Sequence, residues 1–222
     1  GQTQAVTAVL ITGVVVGSIA TSYIWGVPLL EKQQSQANIE NTEQNIIGLY
    51  DRIVEVSNSG EGTTSSYDLS KGISNSESMR LNLDPSKNLV DIRIRSDTSP
   101  YAYNTSVLVK GKSFQNLTSG SGDYAQEGKN LPGAVTVKSV GAPDSSLINY
   151  KIEFRNILVE DSSGDYLSRI NLTTPGQVTA TGDTEIFISN EGTSWERGTE
   201  RIKTGDGNLY PRKNTNIRIS LE

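Results

Sequence analysis

The sequence predicts an α+β protein in which one long N-terminal helix precedes a domain built of β-strands. Three patterns lead to this prediction. The first thirty residues carry no charged side chain, since the first charge is Glu31. Apolar residues then recur at helical spacing up to about residue 56, and from about Tyr67 onward they alternate with polar ones. Apolar residues at helical spacing, followed by apolar residues at every second position, predict a helix first and strands after it.

Residues 5–30 form an apolar segment long enough to cross a membrane, which requires roughly 20 mostly apolar residues. Serine and threonine interrupt it, but in a helix their hydroxyls can bond the preceding backbone turn. Tyr23 and Trp25 have the amphipathic rings that favour a membrane interface. A secretory signal peptide is disfavoured, because the basic start is missing and the segment is too long. A buried helix of a soluble core would need an apolar partner surface that the remaining chain does not supply.

Two glycines and a Gly–Pro pair mark special positions in this segment. Gly13 and Gly17 lie four residues apart on one helix face, where they let a second helix approach closely. A composition adapted to lipid explains the same spacing equally well. Gly26 and Pro28 follow, and because proline removes a backbone donor we expect a kink or local unwinding there.

The helix is expected to run from about residue 3 to about residue 56. Its stretch from Glu31 to Asn45 is polar nearly all round and composed mainly of good helix formers. Beyond it, apolar residues follow the spacing of one helical face, which indicates packing on a folded domain. This stripe consists of Ile46, Ile47, Tyr50, Ile53 and Val54.

The chain divides into three predicted parts. Residues 1–56 are the N-terminal helix, residues 57–66 a linker and residues 67–222 a head domain. The linker is predicted from its richness in serine, glycine and threonine.

The head domain is predicted as an antiparallel β-sandwich. Apolar and polar residues alternate over 90–94, 150–154, 170–172 and 217–221, and Ile186 and Ile188 continue the pattern around the outlying Phe187. Further strand candidates are Met79–Leu83, Ser106–Lys110, Ala134–Val140, Gln177–Thr181 and Ser194–Lys203. Turn clusters rich in Asp, Pro, Gly and Ser separate them. Eight to ten short strands at this spacing favour an immunoglobulin-like architecture, although the Cys–Trp–Cys hallmark of antibody domains is absent.

The composition narrows the function classes. The 222-residue chain has no cysteine, no histidine and a formal net charge of −5. It therefore lacks the residues of a disulfide scaffold, a Cys/His zinc site or a histidine general base. No basic run occurs, so we predict no nucleic acid partner. No catalytic arrangement, metal site or cofactor motif stands out, and we expect a protein that is not an enzyme.

Two weaker candidate sites lie in the head. Asp161 and Asp165 offer the oxygen ligands that calcium prefers, but their spacing does not match a calcium-binding helix–loop–helix motif, and a polar turn is favoured. Five tyrosines are candidate sugar-binding aromatics, although ordinary strand and rim positions explain them better. These are Tyr67, Tyr101, Tyr103, Tyr124 and Tyr166.

Three matches to the N-x-[ST] glycosylation pattern occur in the head, at Asn104, Asn116 and Asn171. Chance matches are common in a chain so rich in asparagine and threonine. The three asparagines are retained as candidate glycan acceptors.

An apolar helix, its amphipathic continuation and a β-rich head resemble an archaeal type IV pilin-like filament subunit of the class III signal peptide family. The opening Gly1–Gln4 resembles the region around the prepilin-peptidase cut. Because the chain starts without methionine, we expect a removed leader; the boundary of an expression product is the alternative. Bacterial subunits usually carry glutamate at the fifth mature position, whereas this chain has Ala5. Archaeal subunits often lack that glutamate, so its absence favours the archaeal group. The resemblance covers about residues 1–55 and is only architectural beyond them.

The resemblance implies a structural subunit that sits in the membrane before assembly and then polymerises with copies of itself through the N-terminal helix. The heads would tile an extracellular filament at the cell surface, for surface adhesion. The implied partners are a prepilin peptidase, an assembly ATPase and a membrane platform protein. Two alternatives stay open: an archaellin of a motility filament, and a monomeric surface protein anchored by one membrane helix whose head binds a ligand.

Overall fold

The computed structural model describes residues 2–71, 78–96, 99–111, 124–126, 132–142, 145–197, 202–203 and 208–222. Its one long helix, α1, spans Gln2–Asn58 and contains 57 residues. At 1.5 Å per residue, α1 is roughly 85 Å long. Its bounds agree with the prediction to within two residues. The helix is continuous through Gly26 and Pro28, so no unwound turn is present there, and a bend stays a prediction.

The described part of the head contains fourteen strands. They are β1 (Thr64–Asp68), β2 (Arg80–Asp84), β3 (Leu89–Ser96), β4 (Ser106–Lys110), β5 (Tyr124–Gln126), β6 (Gly133–Ala142), β7 (Ser145–Phe154), β8 (Asn156–Val159), β9 (Tyr166–Thr173), β10 (Thr179–Thr181), β11 (Glu185–Glu196), β12 (Ile202–Lys203), β13 (Leu209–Tyr210) and β14 (Arg212–Leu221). The first sheet has the strand order β1-β11-β14-β9-β8-β5, and the second has the order β10-β2-β3-β7-β6-β4. The short strands β12 and β13 pair separately.

The α+β fold class, with a long helix packed on two sheets, is confirmed. The expectation of antiparallel pairing throughout is wrong for two strand pairs, because β14 runs parallel to β9 and β5 runs parallel to β8. Alternation of apolar and polar residues reports which face of a strand is buried, but it is the same for either direction of the neighbouring strand. The sequence pattern therefore could not distinguish the two directions.

Two predicted boundaries are corrected. The linker is shorter than residues 57–66, because α1 continues to Asn58 and Thr64–Asp68 forms β1, which pairs with β11. The candidate strand Ser194–Lys203 is not one strand: its first residues end β11, and Ile202–Lys203 form β12. β11 stays continuous because a bulge at Gly192, with φ of +88°, absorbs two residues opposite one of β14.

One hydrophobic core joins the helix to both sheets. The second half of α1 contributes buried side chains that cluster with those of the two sheets, so this half is an integral part of the head. Of the predicted stripe, Ile46, Tyr50 and Ile53 are fully buried, whereas Ile47 and Val54 are half-buried. Leu49 and Val56, which the prediction left out, are also buried.

Candidate assembly surface

The N-terminal half of α1 presents a large apolar surface that none of the described residues covers. Every residue from Val6 to Trp25 is exposed. The exposed fraction of the large apolar side chains ranges from 49% at Val15 to 79% at Trp25. An apolar surface this extensive is typical of a segment that contacts lipid or other protein chains.

The same segment meets the criteria for a membrane-spanning helix. An 18-residue window within Val6–Asn58 has a mean hydropathy of 1.8 and is 0% buried. By length and composition the helix can therefore cross a bilayer, whose hydrocarbon core is about 30 Å thick.

Three hydroxyl groups within the segment are satisfied by the helix itself. Thr12 Oγ1 donates to the carbonyl oxygen of Ala8 at 2.9 Å, Ser18 Oγ to that of Val14 at 2.8 Å and Thr21 Oγ1 to that of Gly17 at 2.8 Å. This confirms the expected return of hydroxyls to the preceding turn. These residues consequently need no water, and the segment can enter lipid or a dry protein core at little cost.

Gly13 and Gly17 lie on the exposed part of the helix. A Cβ atom added at either position would meet nothing within 4 Å, and the same holds at Gly26. No contact with the part of the chain that the structure describes therefore explains these glycines. The space beside Gly13 and Gly17 is therefore free for the predicted close approach of a second helix.

Aromatic stacking and an ion pair fix the second half of α1 to the head. The Tyr50 ring stacks on Phe154 with ring centroids 5.8 Å apart, and its hydroxyl donates to the Gly133 carbonyl oxygen at 3.3 Å. Burial raises the pKa of Tyr50 to about 12. Lys110 Nζ pairs with Asp51 Oδ1 at 2.6 Å. These contacts hold the helix in one orientation relative to both sheets.

A second group of contacts surrounds Tyr101, whose hydroxyl donates to Glu43 of α1 and lies 3.3 Å from the Tyr150 hydroxyl. Burial, reinforced by these hydrogen bonds, raises the pKa of Tyr101. The Tyr67 hydroxyl donates to the Asn45 carbonyl oxygen at 2.8 Å. Two of the candidate sugar-binding tyrosines thus serve the contact between helix and head.

The helix passes close to Tyr67 at Gly48, where an added Cβ would lie 2.3 Å from the Tyr67 hydroxyl oxygen. A larger residue at this position would displace the Tyr67 hydroxyl. At the end of α1, Asn190 Nδ2 donates to the carbonyl oxygens of Val56 at 3.0 Å and Ser57 at 3.3 Å. A side chain of β11 therefore caps the helix where its carbonyl groups lose their own partners.

The contacts that fix the helix were not found by the sequence analysis. Tyr101 and Glu43 are 58 residues apart, and Asn190 and Val56 are 134 residues apart. No local pattern links residues at such separations. The sequence offered one indication of these contacts: Gly48 is an isolated glycine within an otherwise well-formed helical stripe, and such a glycine often has a packing reason.

The candidate glycan acceptors occupy different environments. Asn104 is exposed and has a positive φ of 60°, with its backbone N–H donating to the Ser139 carbonyl oxygen at 2.8 Å. Asn171 is half-buried in β9, and its Nδ2, the atom that a glycan would occupy, donates to Asn216 Oδ1 at 3.0 Å. Asn116 lies outside the described residues. The folded head therefore suits Asn104 better than Asn171 as an acceptor.

The candidates Asp161, Asp165 and Tyr166 line a cleft of about 810 Å³ together with Trp195. The rings of Tyr166 and Trp195 are 5.2 Å apart, and the Arg197 guanidinium lies 4.5 Å from the Trp195 ring centre. Asp161 Oδ1 accepts from the Ser163 backbone N–H at 3.3 Å, and bonds within this turn lower the pKa of Asp161. Across the described ranges, no group of three acidic side chains is placed to hold a metal ion.

Two candidate tyrosines remain. The Tyr103 hydroxyl lies 3.2 Å from Ser146 Oγ, as an ordinary strand contact. The side chain of Tyr124 lies outside the described residues.

Comparison with known proteins identifies no relative. No family model matches the chain, and neither a curated protein nor a solved structure gives a significant match. The pilin-like likeness accordingly lies in the architecture of a long apolar helix followed by a β-sheet head.

Proposed function

We propose that this protein is the structural subunit of an extracellular, type IV pilus-like filament, that it polymerises through the N-terminal half of α1, and that it serves surface adhesion. One observation carries the proposal: a single continuous helix has one half built into the head and the other half apolar and uncovered. A helix that is apolar on all sides requires an apolar environment on all sides. Copies of the same segment packed around a common axis supply it.

The free energies support an exchange between two apolar environments. Burying a large apolar side chain from water stabilises by about 1.5–3 kcal/mol, and thirteen such side chains are exposed on the segment. Water is thus excluded as the resting environment. Lipid tails are as apolar as leucine, so transfer from bilayer to filament gains little hydrophobic energy and depends on close helix packing. Gly13 and Gly17 would provide that close packing.

The rest of the assembly follows from the resemblance. A prepilin peptidase, an assembly ATPase and a membrane platform protein would process the chain, drive it out of the bilayer and guide it into the fibre. The head, continuous with the helix, would lie on the outside. Each copy would contact the next through unlike surfaces, which generates an open helical polymer.

The test begins with the fibres themselves. Filaments sheared from cells that express the full chain are imaged by electron microscopy and identified by mass spectrometry. We expect the chain to be a main component, with residues 6–25 at the fibre axis in a reconstructed map. Full-length protein found only as single detergent-bound molecules, with no fibre that contains it, would instead support the membrane-anchored monomer.

A variant pair tests the role of the glycines. Gly13→Leu with Gly17→Leu should reduce filament yield at least tenfold, since two bulky side chains separate the helices. Ala8→Leu enlarges one side chain near the opposite side of the helix, by less volume than the glycine pair, and is the control for position, expected to retain filaments. Loss of motility on deletion of the gene, with attachment unchanged, would favour the archaellin alternative.

A further inference from the structure

Positive charge is concentrated at one end of the outer face of the second sheet. Arg80 on β2 stands directly opposite Arg93 on β3, and Arg95 lies two residues along β3 on the same face. All three arginines are exposed. The residues that alternate with them point into the core: Leu81, Ile92 and Ile94. We call Arg80, Arg93 and Arg95 the arginine face.

The arginine face is costly for the fold. Like charges placed directly opposite each other on neighbouring strands destabilise a sheet. Among the described residues, Arg93 pairs with Asp91, whereas no ion pair involves Arg80 or Arg95. The far end of the same sheet face carries the acids Asp84 and Glu153. Lys151 lies opposite Asp91, between the arginines and these acids, so the positive charge without an ion pair at this end of the face is that of Arg80 and Arg95.

Two adjoining pockets open on this face and share Arg80 and Arg93. The first has a volume of about 340 Å³ and also includes Arg95 and Ser78. The second has a volume of about 420 Å³, and its polar lining is completed by Asn82, Asp91, Thr179 and Thr181. Together the pockets offer cationic groups at one end and neutral or acidic hydrogen-bonding groups at the other.

Asp91 supplies an independent observation. Its side chain is almost fully buried, at 5% exposed. Oδ2 accepts from Arg93 Nε at 3.1 Å and from Arg93 Nη2 at 2.7 Å. Oδ1 is buried and has no hydrogen-bond partner among the described residues. A buried acceptor without a donor is destabilising, and a ligand that brings a hydroxyl group to the second pocket would remove this cost.

We propose that the arginine face and the adjoining Asp91 pocket form a binding site for an acidic saccharide. Arg80 and Arg95 pair with its carboxylate or sulfate groups, for which the planar guanidinium is well suited. Asp91 Oδ1 accepts a hydrogen bond from a sugar hydroxyl. Asn82 and the threonines of β10 bond the remaining hydroxyls.

The requirement for both an acid and a hydroxyl selects this ligand class. A single phosphate ion is too small to reach from the arginines through both pockets to the threonines of β10, and an acidic peptide brings backbone N–H groups where a saccharide brings a hydroxyl on most ring carbons. An anionic membrane is less suitable, because its headgroups would reach the exposed arginines but not the buried Oδ1 of Asp91. The inference does not depend on filament assembly, since every residue of the site belongs to one head.

The test measures the binding of tri-galacturonate to the full-length chain in a polyoxyethylene detergent, by titration calorimetry. Arg80→Gln with Arg95→Gln should weaken binding at least tenfold. Lys32→Gln with Lys71→Gln removes the same charge from exposed positions elsewhere and should change it less than twofold. Because Arg80 and Arg93 repel, the arginine variant should unfold no earlier than the parent, so lost binding would not reflect lost folding.

Matched probes separate the contributions of acid and hydroxyl. Methyl-esterified tri-galacturonate keeps the hydroxyls without the charges, and a blocked tri-glutamate peptide keeps three carboxylates without the sugar rings. Each should bind at least tenfold more weakly than tri-galacturonate. Equal binding of the peptide would overturn the proposal in favour of an acidic protein surface, such as a second copy. If the arginine and lysine variants weakened binding equally, binding would depend on net charge alone, and the proposed site would be refuted.

The membrane alternative has its own measurement. The chain is placed in nanodiscs of phosphatidylcholine with and without phosphatidylglycerol, and hydrogen exchange is followed in β2 and β3. We expect no difference. Protection by phosphatidylglycerol that disappears in the Arg80/Arg95 variant would identify lipid as the ligand and overturn the saccharide.

Discussion

Between Val6 and Trp25 every side chain of α1 is exposed, whereas between Ile46 and Val56 the same helix contributes five fully buried apolar side chains to the head. The first region is apolar on all sides and has hydroxyls bonded back to its own turns. The second has one apolar face and charged residues opposite it. The difference shows that one helix can lie in two different environments. The distribution of apolar side chains around the helix decides which environment each half requires.

The largest expected effect comes from a charge in the first region. Val15→Glu should abolish filaments while the head stays folded, because a carboxylate at the centre of an apolar segment costs several kcal/mol in lipid or in a dry protein core. Electron microscopy counts the filaments, and near-ultraviolet circular dichroism reports on the head. Gln34→Glu, on the exposed polar stretch, is the control and should assemble normally. Filaments of normal yield from the Val15 variant would refute the assembly role of the segment.

The next effect is confined to the second region. Tyr50→Ala should lower the free energy of unfolding of the head by about 3–5 kcal/mol, the range for truncating a large buried aromatic. Tyr23→Ala makes the same chemical change in the first region, where the side chain is 71% exposed. Denaturant titration should show no change for that control. Equal destabilisation by the two variants would contradict the division of the helix.

The third effect is a dependence of stability on alkaline pH. The pKa of Tyr50 is raised by burial from 10.0 to about 12 in the folded head. The neutral phenol is favoured in the folded state, so this contribution is complete below pH 10 and is lost as the pH rises through about 12. The loss amounts to about 2–3 kcal/mol. Tyr50→Phe should make the fall of the unfolding free energy between these pH values shallower without removing it, because burial also raises the pKa of Tyr67, Tyr101 and Tyr150. An unchanged slope would show that Tyr50 does not contribute to it.

The smallest effect compares two glycines of α1. Gly48→Ala should destabilise the head by about 1–3 kcal/mol, since its Cβ would displace the Tyr67 hydroxyl and break its bond to Asn45. Gly26→Ala, where an added Cβ meets nothing within 4 Å, should leave the unfolding midpoint of the head unchanged. Thermal unfolding of both variants measures the contrast. A neutral Gly48 substitution would mean that Tyr67 contributes little to holding the helix.

The candidate assembly surface was largely predictable, because it depends on composition. An uncharged run from Gly1 to Leu30 needs no knowledge of distant residues, and the helix predicted from this run and from the apolar stripe after it ends within two residues of the observed one. The strands were found where alternation was strong, as in β3 and β14. They were missed where strands were short or polar, as in β1 and β8, because pairing with a neighbour, and not local preference, makes those segments extended.

The arginine face was not predicted, although its residues are visible in the sequence. Arg93 and Arg95 occur as the polar half of an alternating strand, which by itself indicates only an exposed face. Arg80 comes to lie opposite Arg93 through the pairing of β2 with β3, and Asp91 joins them only in the folded sheet. The arginines come together only because of the register in which β2 pairs with β3.

The sequence by itself determined that a long helix begins uncharged, ends with one apolar face and is followed by strands, because each of these features is a periodicity or a composition within one short segment. The tertiary structure decided the parallel pairs β9–β14 and β5–β8, the capping of α1 by Asn190 and the Tyr101–Glu43 contact. These features join residues far apart in the chain. Their geometry depends on how all the apolar faces are buried together in one core, which no single segment specifies.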